Sequence, residues 1–350
     1  MLRSLTVFLT ENPVEASAPC RIDAGGTWDI KALALPFEGI GPTTINIALN
    51  LRTRVTLSPY KSNWIKVSSE GFRRSEAFHR DHVRLDSRFG LFFAAVTYFG
   101  FHGMAIHIHA RAPVRSALGG SSTAIVALIK ALAKIRLMQG GKNLSGRSIL
   151  HLAYHLEDGV SGGHCGIQDQ AAALYGGVNQ WTWHYGNRRA LFDRHPLLDR
   201  KGQKEFSKRI LVAFSGERHV SSRTNRKWIK DFLAGRTRSG WVEANEIVRR
   251  LGSAIKNRNW LRAAGFLREE MALRKRLTPE ALTPVTAVLI RQAEGSGCGA
   301  RFAGAGAGGC VWALGEQEDI HRLRNKWKNT LASIRNAGIL GCEVDPAGAR

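Results

Sequence analysis

The stretch Ser116–Ala124, SALGGSSTA, stands between HARAP and the apolar run IVALIKALAKI. Two glycines and two serines occupy the place where a helix begins. After Ser122 the apolar residues recur at helical spacing to about Met138, so the serines fall in a first turn. The N–H groups of a first turn lack intrahelical partners, the macrodipole favours negative charge there, and glycine lets the backbone approach a ligand closely. The stretch therefore has the physics of a phosphate cradle. It lacks the lysine of a GxxxxGK[ST] loop and does not spell GxGxxG. A strand-to-helix turn with Ser121 or Ser122 as a simple N-cap would have the same composition.

Outward from this point the periodicities sort the chain. TTINIALNLRTRVTLSP (43–59) and GMAIHIHARAP (103–113) alternate with period two and predict strands. A second helix is predicted from Ser145 to about Glu157, followed by the glycine-rich DGVSGGHCGIQDQ. KRILVAFSG (208–216) reads as a buried strand, and helical stretches follow near 220–233, 241–256, 258–276 and 279–294. ARFAGAGAGGCVWAL (300–314) reads as strand, glycine turn, strand, and EDIHRLRNKWKNTLASI as a last helix. Strands mix with helices in both halves without regular βαβ alternation, which predicts an α+β fold. A chain of 350 residues suits two domains, expected over 1–190 and 205–345, with the boundary in the polar, proline-interrupted NRRALFDRHPLLDRKGQKEF.

Composition narrows the function classes. The 44% hydrophobic and 23% charged content is that of an ordinary globular chain, and the apolar runs are too short or too interrupted to cross a bilayer. MLRSLTVFLTENPVE has no small-residue cleavage pattern, so the expected location is the cytoplasm and no membrane partner is expected. Cys20, Cys165, Cys298, Cys310 and Cys342 show no CxxC spacing and read as small buried residues rather than a disulfide framework or zinc site. The net charge of +23 attracts polyanions, but it is spread along the chain without an RNA-binding aromatic signature, zinc finger or basic zipper. Nucleic acid is therefore not the expected partner, and anionic small ligands suit the charge better. His107 and His109 share a strand face without a third ligand nearby, and the nine tryptophans, including WTW at 181–183, read as core.

Three further segments carry chemistry. EDGVSGGHCGIQDQAAALYGG has Glu157 at the end of a helix and Asp169 in a glycine-rich turn before an apolar stretch. Magnesium takes hard oxygen ligands and keeps waters, so a hydroxyl, a carboxylate and phosphates suffice to hold it. A separate carboxylate can orient and deprotonate a hydroxyl. Each carboxylate alone would equally suit a helix-end role. APCRIDAGGTWD (18–29) places Arg21 and Asp23 on a strand ending in Gly25-Gly26, with Asp29 beyond. An arginine there steadies a carboxylate or a transferring phosphoryl group, or simply pairs with Asp23. The small residues of GARFAGAGAGGCVWAL permit close backbone approach to a ligand or to the first glycine loop.

In this order the segments resemble the GHMP kinases, the family of galactokinase, homoserine kinase, mevalonate kinase and phosphomevalonate kinase. The family's AP-x-R segment, P-x-x-x-G-L-G-S-S-A loop and C-terminal glycine-rich strand turn are matched here by APCRIDAGG, PVRSALGGSSTA and GARFAGAGAGGCV, across residues 18 to 314. RIDAGGTWD and GGHCGIQDQAAALYGGVN are similar to the branch of fucokinase and the bacterial heptose-phosphate kinases, and the P-S-G-x-D-N pattern of the mevalonate branch is not present. The resemblance implies an N-terminal ribosomal-protein-like and a C-terminal ferredoxin-like α+β domain. It implies an ATP- and Mg2+-dependent kinase of a sugar or sugar phosphate, acting on the anomeric hydroxyl, with a homodimer compatible. By the same resemblance Asp169 is the base or orienting carboxylate and Arg21 its cationic neighbour, while Ser121 and Glu157 hold the metal. Ala117, Leu118, Gly119, Gly120, Ser121 and Ser122 wrap the nucleotide phosphates, Gly304 to Gly308 close over that loop, and Asp29, Gly26, Gly304 and Gly306 meet the substrate together with Asp169.

The departures are specific. Ala117 stands where the family has glycine, Gly120 replaces a serine or threonine, and Ala305 and Ala307 interrupt a glycine run. Alanine fits there if φ is negative, since only positive φ requires glycine. After Asp29, IKALALPFEGIGPTT does not reproduce the D-x-P-P of the sugar branch, which bears on the acceptor. The alternatives are an isoprenoid or homoserine kinase of the same family, a catalytically silent sugar or nucleotide sensor, and a nucleic-acid binder motivated by charge alone. Joint retention of Arg21, Ser121, Glu157 and Asp169 favours catalysis.

Overall fold

Strand β1 (Val14–Ala24) runs antiparallel along the length of β2 (Thr43–Pro59), from Val14 opposite Leu57 to Ala24 opposite Ile45. The computed structural model describes residues 5–25, 28–187, 191–218 and 221–350. β2 is the axis of a seven-stranded sheet that also contains β3 (Trp64–Ser69), β4 (Glu76–His79), β5 (Met104–Ala110), β6 (Val178–Trp183) and β7 (Phe192–Pro196). Its first half pairs with β6 and its second half with β5. Burial alternates from Leu51 to Leu57, as period two predicts, but is continuous from Thr43 to Leu49. There both faces are covered.

The helices explain that difference. They are α1 (Leu5–Glu11), α2 (Lys31–Ala34), α3 (Gly90–Phe99), α4 (Gly120–Met138), α5 (Gly146–Val160), α6 (Gln168–Tyr175) and α7 (Arg200–Ser207) in the first part of the chain, then α8 (Ser221–Leu233), α9 (Arg238–Lys256), α10 (Trp260–Leu277), α11 (Pro284–Glu294) and α12 (Gln317–Leu331). Helix α4 is buried on nearly every side. Its Ile125, Leu128 and Ile129 share a core with Val55 and Leu57 of β2 and with Phe93 and Val96 of α3. Val248 and Leu251 of α9 pack with Ile45, Ile47 and Leu49 in another core. The second sheet is wholly antiparallel, in the order β11 (Gly338–Leu340), β8 (Ile210–Phe214), β10 (Cys310–Leu314), β9 (Gly299–Phe302).

The stretch expected to carry the domain boundary contains β7, on the edge of the first sheet against β6, and α7, whose N-cap Asp199 accepts from Gly202 N at 2.6 Å. The chain's last residues return to the first sheet. Asn50 N donates to Glu343 O at 3.0 Å and Asp345 N to Ala48 O at 2.9 Å, where the β1–β2 register shifts between Pro19 and Cys20. Arg350 and Ser17 exchange both backbone hydrogen bonds. All five cysteines are free, and Trp181 and Trp183 are fully buried. Among the described residues no helix is long and apolar enough to cross a membrane, and no three metal-ligating side chains gather at one point.

Candidate active site

Arg21, near the end of β1, is the centre of the site. Its Nε donates to Asp169 Oδ1 at 2.6 Å and its Nη2 to Oδ2 at 2.9 Å, a two-point grip on the carboxylate. Its Nη1 donates to the carbonyl of Ala117 at 2.6 Å, so one guanidinium ties the first turn of α6 to the glycine loop. Burial by itself lowers the Arg21 pKa, but Asp169 and Asp23 outweigh it and raise the value above the ordinary one. The cation is permanent. Asp169 side-chain exposure of 22%, against 5% for Arg21, leaves the carboxylate open to the cavity.

The loop itself is held by both halves of the molecule. Leu118 O accepts from Arg21 N at 3.1 Å, and Ser116 O accepts from Cys310 N of β10 at 2.8 Å. Gly119, at φ +76°, forms the N-cap of α4 without a side-chain bond. A Cβ on Gly119 would lie 3.1–3.3 Å from the Asp169 side chain, so a methyl there would press on the carboxylate, and the positive φ also favours glycine. Neither serine caps the helix. Ser121 Oγ donates to Glu157 Oε1 at 2.6 Å, and Ser122 Oγ to Oε2 at 2.7 Å. Gln170 Nε2 adds a third donor at 2.6 Å. Burial raises the Glu157 pKa, and these three hydrogen bonds only partly oppose the rise.

Asp23, two residues beyond Arg21, accepts from Arg301 Nη1 of β9 at 2.7 Å and from Gly304 N at 2.6 Å. Burial pushes its pKa up, but Arg301, Arg21 and the Gly304 N–H outweigh that and hold it below the usual carboxylate range. Asp29 sits differently. It is buried, accepts from Gln168 Nε2 at 3.1 Å, and among the described residues has no arginine partner. Burial, reinforced by the charge of Asp169, pushes its pKa up to about 7. Gly166 makes this contact geometry attainable, because a Cβ there would fall 1.8 Å from Asp29 Oδ2.

These groups border one cavity of about 550 Å³. Its lining includes the apolar Phe72, Phe89, Phe92 and Ile108 and the polar Asp29, His164, Gln168 and Asn225. Of the residues expected at the site, Arg21, Asp29, Ala117, Gly119, Gly120, Ser121, Ser122, Glu157, Asp169 and Gly304 all border it. Leu118 does not. Its side chain is in the core with Ile22 and Val178, and only its backbone reaches Arg21. Gly306 also turns away, toward Ala281, whose carbonyl would lie 2.5 Å from a Cβ placed on it. Gly26 lies outside the described residues.

The condition under which the alanines fit without strain is met only at Ala305: Ala117 and Ala307 sit in the left-handed region, at φ +63° and +56°. Each methyl there costs about 1–2 kcal/mol of backbone strain. Ser121 and Ser122, offered as alternative caps, both serve Glu157. Gln168, Gln170 and Arg301 also serve the site without having been singled out in the sequence. The two glutamines flank Asp169 in the quoted GIQDQ, where their spacing on either side of a helical residue was the available signal.

Comparison with known proteins agrees with this geometry. The model for the GHMP kinases N terminal domain matches residues 88–177, and that for GHMP kinases C terminal matches residues 251–333. The chain is 38% identical over 87 residues to a D-glycero-alpha-D-manno-heptose 7-phosphate kinase of Campylobacter jejuni, a match covering 25% of this chain and 24% of that protein. It is 24% identical over 335 residues to a mevalonate kinase of Thermococcus gammatolerans, covering 87% of this chain and 90% of the other. The structure of Lactococcus lactis galactokinase complexed with galactose superposes over 99% of this chain and 98% of that one, with a TM-score of 0.74 at 16% identity. Both halves of one family thus occur in order on a chain with that family's two-domain α+β fold, and the chain belongs to the GHMP kinases, which are ATP-using phosphotransferases with an alcohol group as acceptor.

Proposed function

We propose that this kinase phosphorylates a hydroxyl of a sugar or sugar phosphate, the anomeric one by its likeness to the heptose kinase branch. The observation that carries the reading is the Arg21–Asp169 pair, standing between the glycine loop and a polar chamber that holds Asp29 and Gln168. The similarity to a heptose 7-phosphate kinase, which includes the sugar class in its name, supports it.

In this reading the loop Ala117–Ser122 and the N-terminus of α4 receive the nucleotide phosphates. The acceptor hydroxyl donates to Asp169, whose orientation Arg21 fixes. As the hydroxyl oxygen bonds to the γ-phosphorus, the bridging P–O bond to the β-phosphate breaks and ADP leaves. The hydroxyl proton passes to the Asp169 carboxylate, and Arg21 balances the charge around it. Asp29 and Gln168 would hydrogen-bond the sugar's other hydroxyls. A pKa of about 7 leaves Asp29 able to donate or accept near neutrality.

The residues present also fit a magnesium ion. The hydroxyl of Ser121 and the carboxylate of Glu157 are hard oxygen donors already converged at the cavity wall, and they leave room for phosphate oxygens and waters. When bound, the metal supplies neutralisation of phosphate charge. Glu157 would hold the ion through the carboxylate that now accepts from Ser121 and Ser122, and a bound cation would oppose the effect of burial, which favours its neutral form.

The test is an ADP-release screen over fucose, mannose, galactose and heptose 7-phosphate, with Asp169→Asn as the control. Turnover of one of these sugars is expected, falling about 10²–10⁴-fold in the variant with nucleotide binding retained. Undiminished turnover in that variant would remove Asp169 from its role. A second reading has one observation in its favour, the near full-length similarity to a mevalonate kinase. A preference for mevalonate over every sugar would sink the sugar assignment.

A further inference from the structure

Helix α10 carries Arg274 into the wall of the same cavity, beneath the strand that leads to the C-terminal glycine turn. The side chain is 1% exposed. Its guanidinium lies 4.3 Å from the ring centre of Trp228 on α8 and 4.4 Å from that of Trp241 on α9. Stacking between indoles satisfies the flat faces of a guanidinium but none of its five N–H donors, which point outward in its plane. Among the described residues Nε, Nη1 and Nη2 of Arg274 have no hydrogen-bond partner, and neither has the adjoining Trp241 Nε1.

The contrast with the neighbouring arginines is direct. Arg21 has placed its donors on Asp169 and Ala117, and Arg301 has placed Nη1 on Asp23. Arg274 has charge compensation from Glu270, one turn earlier, but that carboxylate is already drawn to Arg301 Nε at 3.3 Å. Burial pulls the Arg274 pKa down to about 9, which leaves it a cation at neutral pH. Were packing its purpose, an unbranched apolar side chain would stack between two indoles without burying a charge and its donors.

We infer that Arg274 is the anchor for a phosphate monoester carried by the acceptor, at the end of the sugar away from the hydroxyl that reacts. The planar fork matches phosphate oxygens two at a time, and the stacked indoles hold it rigid before the ligand arrives. The +23 net charge favours approach of such a dianion. This inference rests on the sugar-kinase reading and narrows it to phosphorylated acceptors.

The experiment compares kcat/KM for a heptose and its 7-phosphate, in the wild type and in Arg274→Met and Arg274→Lys, with the ATP KM and melting temperature as controls. The wild type is expected to prefer the phosphorylated acceptor. Arg274→Met should cut that preference about 10–100-fold, the worth of charge-assisted hydrogen bonds, with the ATP KM steady. Arg274→Lys should fall between. A wild type indifferent to the phosphate, or an Arg274→Met that slows both acceptors equally, overturns the inference and makes Arg274 a packing residue. If Arg274→Met fails to fold, Arg274→Lys decides: an undiminished preference overturns the anchor. Indifference to the phosphate leaves the sugar-kinase reading standing, whereas no turnover of any sugar sinks both.

Discussion

Two turns of small residues meet at this site, and they do different work. The first, Ser116–Gly119, faces the cavity and brings the N-terminus of α4 against Asp169. The second, Ala303–Gly309, mostly faces protein: Gly309 packs on Ser116 and Ala117, and Gly306 on Ala281. Both hold an alanine in left-handed backbone, Ala117 and Ala307. Similar composition therefore marks a binding surface in one case and a buttress behind it in the other. Strain of this kind persists only where the surroundings over-determine the conformation.

The strongest way to break the comparison is at Asp23, which holds the second turn to β1 by accepting from Gly304 N and Arg301. Asp23→Ala should cost about 3–5 kcal/mol in denaturant unfolding, because it breaks a buried ion pair and leaves Arg301 with Glu270 alone, a carboxylate that also faces Arg274. The same carboxylate predicts a pH effect. Its folded pKa lies below the unfolded value, so its contribution is present above about pH 4 and lost as pH falls further. The wild type should lose stability more steeply than Asp23→Ala over that acid range, and parallel slopes would count against the assignment.

Gly119→Ala tests the working face. Its methyl would press on Asp169, so kcat/KM should drop about 100-fold, near 2.7 kcal/mol of barrier, with a smaller loss of stability. Gly309→Ala tests the buttress, since its methyl would meet Ser116 O at 2.7 Å. It should cost about 2 kcal/mol of stability, with activity lost only to the extent that the loop moves. If Gly119→Ala proved the more destabilising and Gly309→Ala the more inactivating, the division of labour would be reversed. Smallest is the relief of strain. Ala117→Gly and Ala307→Gly should each change stability by less than about 1 kcal/mol, the strain removed being offset by the entropy of a freer unfolded chain.

The sequence made much of this legible. The period-two run at 43–59 gave β2 to the residue, and the helical run after Ser122 gave α4 to within two residues at its start. Arg21, Asp169, Ser121 and Glu157 are singled out by the joint order of their motifs, since each local signal alone suits a strand ion pair, a helix end or a cap equally well. What was not legible depends on contacts across the chain. Ala117, in left-handed backbone, is held by Arg21 at its carbonyl and backed by Gly309, and no window around Ala117 contains either. Asp23, Arg301, Glu270 and Arg274 make an alternating row of buried charge from three separate elements, β1, β9 and α10. Along the chain α10 looks like an ordinary basic helix, and only the arrival of Trp228 and Trp241 shows which of its arginines is interior.

The return of residues 343–350 to the first sheet has a kinetic consequence. Ala48 and Asn50 of the central strand, and Ser17 beside them, find backbone partners in Asp345, Glu343 and Arg350. During synthesis the strands of the first sheet emerge well before that segment, so the register shift between β1 and β2 lacks these partners until residues 343–350 follow. Closing it is a late, long-range step, and it ties the sheet that carries Arg21 to a segment that follows the second sheet in the chain.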